Sequence, residues 1–350
     1  MRHNRTSLVA ATVLGLALTA ACTGAASPSA EDGPARAVTT SAQRAGLPDH
    51  QVVVISLDGL NPTALSRLGR TGAPALHRMM RQGASTLNAR AEVEQTETLP
   101  NHTGMVTGRR IEKARDGHAV TWNDERLNPF TVQEAAEHGV DSIFSLAKRQ
   151  GLSSALYSAK EKFSLFDRSW PDGTDKVLID SDNTRLADVA VRDLQRASYD
   201  FAFLHISLPD RAGHAYGWLS APYLDAVRQS DALVGQVLEA VRADSRLSDR
   251  VTVMLTADHG GPRGKRNHAE AGILANYRVP FLMWGAGVTR GADLYELSPQ
   301  LADPGTRRVG YGARRQPVRN AFVANAAAEI LGLPTVRGSR LGAAGELNWR

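Results

Sequence analysis

The chain has 350 residues, with 41 lysines and arginines, 36 aspartates and glutamates, and 6% aromatic residues. The basic residues are scattered without a long run and aromatic residues are few, so the composition argues against a nucleic-acid-binding surface or a base-stacking platform. The chain contains one cysteine, Cys22, which excludes a disulfide within the chain.

The N-terminus predicts an export signal that ends at Cys22. Arg2 and Arg5 make a basic start, and the apolar run at 8–21 is too short for a typical membrane-spanning helix. The run ends in LTAAC (18–22), which resembles a bacterial lipobox. We expect residues 1–22 to be a lipoprotein-type signal peptide with Cys22 as the lipidation site. A plain signal peptide with an incidental cysteine is the alternative.

The segment after Cys22 predicts a tether followed by a single folded domain. Residues 23–47 are rich in Ala, Ser, Gly and Pro and poor in large apolar side chains, so they predict a disordered linker. Residues 48–350 have the length of one α/β enzyme domain. We therefore expect this domain to lie on the outer face of the cell membrane, held through a lipid anchor. A secreted soluble protein is the alternative.

Within the domain, apolar runs alternate with segments of helical periodicity. Strands are predicted at 52–57, 84–93, 153–158, 201–208, 251–257 and 279–284. Helices are predicted at 62–69, 74–83, 131–138, 142–150, 182–197, 223–243 and 320–331. This alternation is typical of an α/β fold with a mostly parallel sheet and helices on both faces. In such folds the functional site lies at the carboxyl ends of the strands.

The segment 96–108 (TETLPNHTGMVTG) predicts a turn that leads into a helix beginning near Thr98. The first N–H groups of a helix lack partners and favour an anion, so they would hold a phosphoryl oxygen close to the Thr98 hydroxyl. A threonine alcohol at neutral pH is a weak nucleophile and needs a base or a metal ion to activate it.

Metal-ligand residue types follow several of the predicted strands. Asp210 and His214 are four apart and share one face if they lie on a helix. Gly260 and Gly261 permit a sharp turn after a strand, which would let two adjacent side chains converge. Mixed carboxylates and imidazoles are ligands for a divalent cation. The candidates are Asp58, Asp210, His214, Asp258, His259 and His268. Helix-capping aspartates and a surface histidine are the alternative.

Four motifs in chain order resemble the alkaline phosphatase superfamily: ISLDGL (55–60), TLPNH (98–102), PDRAGH (209–214) and TADHGG (256–261). Within it the chain is most similar to the type I phosphodiesterase/nucleotide pyrophosphatase family, over roughly residues 50 to 340. The resemblance implies an alkaline-phosphatase-like three-layer fold with helices on both faces of a mostly parallel sheet. It also implies a hydrolase that forms a phosphothreonine on Thr98.

The resemblance implies two divalent metal ions, for which zinc fits the ligand types best and manganese is the alternative. One ion would be bound by Asp58, Asp258, His259 and the Thr98 oxygen. The other would be bound by Asp210, His214 and His268. Two such cations would lower the pKa of Thr98 and neutralise the phosphate. The nine-position spacing between His259 and His268 departs from the long insertion usual in the family.

Three further residues are candidates for contacting substrate. Asn123 ends a segment (117–123) that resembles a family element whose amide donates to a phosphoryl oxygen; a turn asparagine is the alternative. Lys160 and Lys162, in SAKEKF (158–163), are weaker candidates, because a solvated basic turn explains them equally well. His205, inside an apolar strand, is interpreted as a hydrogen-bonded core histidine.

These observations predict an exported, metal-dependent hydrolase of small-molecule phosphate esters. Phosphodiesters, nucleotide-type or similar, are favoured because no basic residue adjoins Thr98 within TETLPNH, and a monoester dianion needs an additional cation. Arg109 and Arg110 are the residues that folding could bring back toward the phosphate. The alternatives are a phosphomonoesterase of the same superfamily and a non-catalytic surface lipoprotein that keeps the fold.

Overall fold

The computed structural model describes Leu47 and residues 49–350. The expected signal peptide, Cys22 and all of the expected tether except Leu47 lie outside the described residues. None of the helices formed by the described residues has the length and hydrophobicity of a membrane span.

An eight-stranded sheet lies at the centre of the described part. Its strands are β1 (Gln51–Leu57), β2 (Ala84–Arg90), β3 (Ser154–Ser158), β4 (Lys176–Ile179), β5 (Phe201–Ile206), β6 (Val251–Thr256), β7 (Arg278–Gly285) and β8 (Ala292–Asp293). The spatial order is β4-β3-β5-β1-β6-β7-β2-β8. Strand β7 is antiparallel to β6 and β2, and every other neighbouring pair is parallel. The expected mostly parallel α/β fold is confirmed.

The helices pack in two groups around the sheet. They are α1 (Thr63–Gly72), α2 (Pro74–Gln82), α3 (Thr98–Thr107), α4 (Val132–Ala136), α5 (Ile143–Arg149), α6 (Ser164–Ser169), α7 (Asn183–Gln195), α8 (Leu208–Tyr216), α9 (Ala221–Ala243), α10 (Ser245–Ser248), α11 (Leu274–Tyr277), α12 (Leu294–Leu297) and α13 (Val323–Ile330). Helix α9 packs against α1, α2, α7 and α8, whereas α13 packs against α3, α5 and β1. This arrangement gives the sheet a helical layer on each side.

The six predicted strands and seven predicted helices are present with shifted ends. The strand predicted to run to 208 ends at Ile206 because Leu208 and Pro209 begin α8, where a proline suits the first helical turn. The helix predicted from 320 begins with the 3₁₀ turn Asn320–Phe322. Strand β4 was not predicted, because its four residues are all only half-buried at a sheet edge and do not form a continuous buried run.

The parallel register brings the motif residues to one edge of the sheet. Every residue of β1 and β6 is buried, as expected for central strands covered on both faces. Ser56 of β1 lies opposite His205 of β5 on one side and Thr256 of β6 on the other. The segments that follow these three strands therefore leave the sheet together, and they carry Asp58, Asp210 and Asp258.

Candidate active site

Thr98 is the first residue of α3 and is almost fully buried. The next N–H, that of Leu99, donates to Asn123 Oδ1 at 3.0 Å. The asparagine carbonyl therefore already occupies the Leu99 N–H, which is one of the N–H groups at the start of this helix. The same bond places Asn123 beside the Thr98 turn and leaves its amide NH₂ as the donor end of the side chain.

The three motif aspartates converge on His259. The His259 Nε2 atom lies 3.4 Å from Asp58 Oδ1, 3.2 Å from Asp258 Oδ2 and 3.8 Å from Asp210 Oδ1. All four of these atoms are buried, and none has a hydrogen-bond partner among the described residues. Unpartnered buried carboxylate oxygens are costly. A cation bound between these atoms would offset that cost.

Three histidines turn the same nitrogen toward this cluster. His214, His259 and His268 each place Nδ1 against a backbone carbonyl, at 2.9, 2.8 and 2.6 Å respectively. A carbonyl only accepts hydrogen bonds, so Nδ1 carries the proton and Nε2 presents a lone pair. Backbone-oriented imidazoles of this kind are characteristic of metal sites.

The Nε2 atoms of His214 and His268 lie 3.2 Å apart. Two lone pairs at this distance repel each other unless a proton or a cation lies between them. Asp210 Oδ1 lies 3.3 Å from His214 Nε2 and 3.8 Å from His268 Nε2. The donor set thus fits a divalent cation at this position.

The described residues include two groups of three ligands, and within each group the ligand atoms all lie within 4.8 Å of one another. Asp58, Asp258 and His259 form one group, and Asp210, His259 and His268 form the other. The first group matches the protein side chains expected for one metal apart from Thr98. The second group contains His259 where His214 was expected. His214 nevertheless lies next to Asp210 and His268, the other two residues of that group. The structure therefore brings all the predicted carboxylate and imidazole ligands together, with His259 between the two groups.

Burial and neighbouring charge shift the pKa values of this cluster in opposite directions. Burial, together with the Asp58 charge, raises the pKa of Asp258 to about 7. Burial opposes protonation of His259, but Asp258 and Asp58 outweigh it and raise its pKa to about 9. The negative charge that favours a proton on His259 would favour a metal cation in its place.

Comparison with known sequences decides the family. The sequence model described as type I phosphodiesterase / nucleotide pyrophosphatase matches residues 52–277, which is more than half of the chain. The chain belongs to the type I phosphodiesterase / nucleotide pyrophosphatase family.

The curated relatives of this family member are longer proteins. The venom phosphodiesterase CdcPDE of Crotalus durissus collilineatus is 28% identical over 264 residues, covering 69% of this chain and 30% of that protein. Human ectonucleotide pyrophosphatase/phosphodiesterase family member 1 is 26% identical over 233 residues, covering 63% of this chain and 24% of that protein. The chain therefore spans about a quarter to a third of the length of these relatives.

Solved structures with low sequence identity share the fold of this family member. Murine ectonucleotide pyrophosphatase / phosphodiesterase 5 superposes with a TM-score of 0.59 at 14% identity, covering 81% of this chain and 95% of that one. The lipoteichoic acid synthase LtaP from Listeria monocytogenes superposes with a TM-score of 0.58 at 13% identity, covering 86% of this chain and 76% of that one. The expected alkaline-phosphatase-like fold is confirmed.

Lys160 occupies a more central place than its sequence context indicated. Its Nζ lies 2.6 Å from Asp58 Oδ2 and 2.7 Å from Asp210 Oδ2, and it donates to Thr98 Oγ1 at 3.2 Å. Its side chain is 16% exposed, so the solvated basic turn is wrong for this residue. Burial lowers its pKa, but Asp58, Asp210 and Asp258 outweigh this effect and raise the pKa above the usual lysine value. Lys162 Nζ instead contacts Asn123 Oδ1 at 3.1 Å.

Two buried histidines hold the Thr98 turn and the Asp58 carboxylate in place. His205 Nδ1 accepts from the Ala159 N–H at 3.2 Å, so Nε2 carries the proton and donates to Asp58 Oδ2 at 2.8 Å. His102 donates from Nδ1 to the Thr98 carbonyl at 2.8 Å and lies 2.7 Å from Ser56 Oγ through Nε2. His205 is the hydrogen-bonded core histidine that was predicted, and its partner is a candidate metal ligand.

Trp218, which lies outside the sequence motifs, packs against the imidazole rings of His214 and His268. Its indole is buried, donates to the Gly59 carbonyl at 2.9 Å, and lies edge-on to His214 and His268 with centroids 5.2 and 5.3 Å away. A Cβ at Gly213 or Gly261 would come within 2.6 or 2.1 Å of the ring. Gly213 of PDRAGH and Gly261 of TADHGG therefore leave the space that this tryptophan occupies. These two motif glycines were the sequence signal for a large side chain packed against the site.

Proposed function

We propose that the protein is a metal-dependent hydrolase of phosphate esters that forms a phosphothreonine on Thr98. The observation that carries this proposal is the set of unpartnered carboxylate and imidazole atoms beside the Thr98 turn. In the first step the Thr98 oxygen would bond to phosphorus while the bond to the leaving oxygen breaks. Water would then cleave the phosphothreonine, which releases phosphate product and restores the Thr98 hydroxyl.

We propose that the site holds two divalent cations. Asp58, Asp258 and His259, with the Thr98 oxygen, would hold one, and the other would be held by the set Asp210, His214 and His268. The mixed carboxylate and imidazole ligands suit zinc, with manganese as the alternative. When bound, such cations supply Lewis-acid neutralisation of the phosphate and favour the deprotonated alcohol.

The protein groups around Thr98 have separate roles in this proposal. Lys160 Nζ, which already donates to Thr98 Oγ1 at 3.2 Å, would stabilise the developing negative charge on that oxygen. Asn123, fixed by its bond to the Leu99 N–H, would donate its amide NH₂ to a non-bridging phosphoryl oxygen. His102 and His205 would keep the Thr98 turn and Asp58 in position.

The substrates we propose are phosphodiesters, nucleotide-type or similar. Support comes from the relatives, which are named as phosphodiesterases, and from murine ectonucleotide pyrophosphatase / phosphodiesterase 5, solved as an inactive variant in complex with AMP. Arg109 and Arg110, which the sequence offered as cations for a monoester, are engaged by other groups. Arg109 donates to the Asp116 carbonyl at 2.7 Å, and Arg110 pairs with Glu94 at 2.7 Å.

Phosphomonoester hydrolysis is a second candidate because of Lys160. A monoester is a dianion at neutral pH and presents a third terminal oxygen, which a buried ammonium beside the nucleophile would bind. TETLPNH contains no cation, but Lys160 brings one to Thr98 from a different segment of the chain.

Matched aryl esters separate the two substrate classes. We expect kcat/KM for an aryl alkyl phosphate to exceed that for the corresponding aryl phosphate by roughly tenfold or more, and Lys160→Met to increase this ratio because the monoester loses more charge stabilisation. Lys148→Met, which removes an ion pair with Asp175 beside Ser154 at the start of β3, is the control and should leave the ratio unchanged. A wild-type ratio that favours the monoester by tenfold would overturn the diester assignment.

We also propose that residues 1–22 are an export signal, that residues 23–47 are a tether and that lipid on Cys22 anchors the catalytic domain, residues 48–350, outside the cell. Cys22→Ala should then move the protein from the membrane fraction to the medium with unchanged specific activity. Cell fractionation and mass spectrometry of the mature N-terminus measure this. A wild-type protein recovered wholly in the medium with an unmodified N-terminus would contradict the anchor.

A further inference from the structure

A cavity lies at the other end of α3 from Thr98. Its volume is about 710 Å³, within the range of small-molecule sites, and its walls come from the loop after α3, from residues 311–316 and from residues 340–341. Helix α3 has ten residues, so Thr98 and the start of this cavity are separated by about 15 Å along the helix axis. The cavity shares no lining residue with the candidate active site.

The cavity is lined by an excess of positive charge. Four arginines and two carboxylates contribute to its wall: Arg109, Arg110, Arg115, Arg340, Glu112 and Asp116. Arg110 is fully engaged, because it pairs with Glu94 and with Glu112, each at 2.7 Å. Arg109 and Arg340 share the carboxylate of Asp116, which also lies 3.6 Å from His138 Nε2, and Arg115 has no carboxylate partner among the described residues. This leaves the cavity with guanidinium groups that an anion could pair.

Arg109 is the buried member of this group. Its side chain is 6% exposed, lies 3.4 Å from Asp116 Oδ1 through Nη1, and has an Nε atom without a hydrogen-bond partner in the described part of the chain. A Cβ at Gly338 would lie 1.7 Å from its Nη2 atom, so only a glycine there leaves room for this guanidinium. Its Nη1 and Nη2 atoms donate to the Asp116 and Arg337 carbonyls at 2.7 and 3.3 Å, so Nε is the one guanidinium nitrogen of this buried arginine without a partner among the described residues.

Arg115 and Arg340 are the accessible members. Arg340 Nη2 lies 3.6 Å from Asp116 Oδ2, and its side chain is 70% exposed. The exposed Arg115 side chain makes no ion pair with any of the residues that the structure describes. Guanidinium groups bind phosphate, sulfonate or carboxylate oxygens through paired N–H donors, which makes several arginines around one cavity suited to a multiply charged anion.

We infer that this cavity, which we call the arginine cavity, binds a small soluble polyanion that carries two or more oxyanion groups. The inference does not depend on the proposed catalytic function, because neither Thr98 nor any candidate metal ligand contributes to the arginine cavity.

The probe for this site is naphthalenetrisulfonate, whose three sulfonates are ionised at neutral pH and which contains no phosphate ester to hydrolyse. Titration calorimetry of the full chain should show one saturable site. The double variant Arg115→Gln/Arg340→Gln should bind the probe roughly tenfold more weakly, because it removes two guanidinium donors from the cavity and leaves Arg109 in place.

The matched control is Arg192→Gln/Arg196→Gln, which removes the same charge from exposed arginines at the end of α7. It should bind the probe as tightly as the wild type does. Thermal unfolding of all three proteins checks that the variants are folded. Absence of saturable binding by the wild type, equal weakening in both double variants, or full affinity in the cavity variant would each overturn the assignment.

Vesicles separate a soluble ligand from a lipid headgroup with the same chemistry. The wild type should bind the probe whether or not phosphatidylglycerol vesicles are present, and vesicles should not compete with it. Vesicle binding that is lost in Arg115→Gln/Arg340→Gln, with no binding of the free probe, would mean that the arginine cavity faces a membrane surface and would contradict the soluble ligand.

Discussion

Replacing Thr98 with alanine is expected to lower kcat/KM for a phosphodiester by roughly 10⁴-fold or more, because the covalent step loses its nucleophile. The six carboxylate and imidazole candidates remain in this variant, so metal content should not change. Steady-state assays and elemental analysis of the same preparation measure both quantities. Loss of activity with retained metal is the combination that identifies Thr98 as the nucleophile.

Thr103→Ala is the matched control on the same helix. The Thr103 hydroxyl is buried like that of Thr98, but it donates to the Leu99 carbonyl at 2.8 Å and contacts none of the candidate ligands. This variant should keep activity within a few fold of the wild type. Full activity in Thr98→Ala, or a comparable loss in both variants, would contradict the phosphothreonine mechanism.

Asp210→Asn is expected to release one metal equivalent and to cost several kcal/mol of transition-state stabilisation, which is the order of magnitude that a Lewis-acid cation contributes. Asp210 Oδ1 faces His214 and His268, and its Oδ2 pairs with Lys160 at 2.7 Å. An uncharged amide keeps the shape of the side chain but removes the negative charge that the cation requires. His214→Ala should release the same equivalent.

Asp231→Asn provides the control for replacing a buried carboxylate. Asp231 is 2% exposed and accepts from the Ala75 and Leu76 N–H groups at 3.1 and 2.8 Å, where it caps the start of α2. This variant should lower the Tm but keep both metal equivalents and the activity of the folded protein. Two metal equivalents in Asp210→Asn, or full activity after treatment with a chelator, would show that the site does not work as proposed.

The non-catalytic alternative makes a different prediction for the wild type. A surface lipoprotein that keeps the fold for binding would retain bound metal and hydrolyse none of a panel of phosphate monoesters and diesters. Turnover of any of these that disappears in Thr98→Ala would exclude this alternative.

The sequence alone determined the fold class and the identity of the candidate ligands. Continuous apolar runs predict central strands because a strand covered on both faces has no polar side to expose, and β1 and β6 confirm this. Ligand residues directly after such strands could be located because parallel strands end at one edge of the sheet. Asp210 and His214 are four residues apart, so they share one face if the segment is helical, and α8 is that helix.

Tertiary structure decided which atoms from distant segments of the chain contact the Thr98 turn and the candidate ligands. Lys160 lies 62 positions from Thr98 in the chain, yet its ammonium donates to the Thr98 hydroxyl. Asn123 bonds the Leu99 N–H, and Trp218 fills the slot between two motif glycines. Local patterns encode the backbone conformation of each segment. Distances between segments depend on sheet order, strand register and loop paths, which a single sequence does not specify residue by residue.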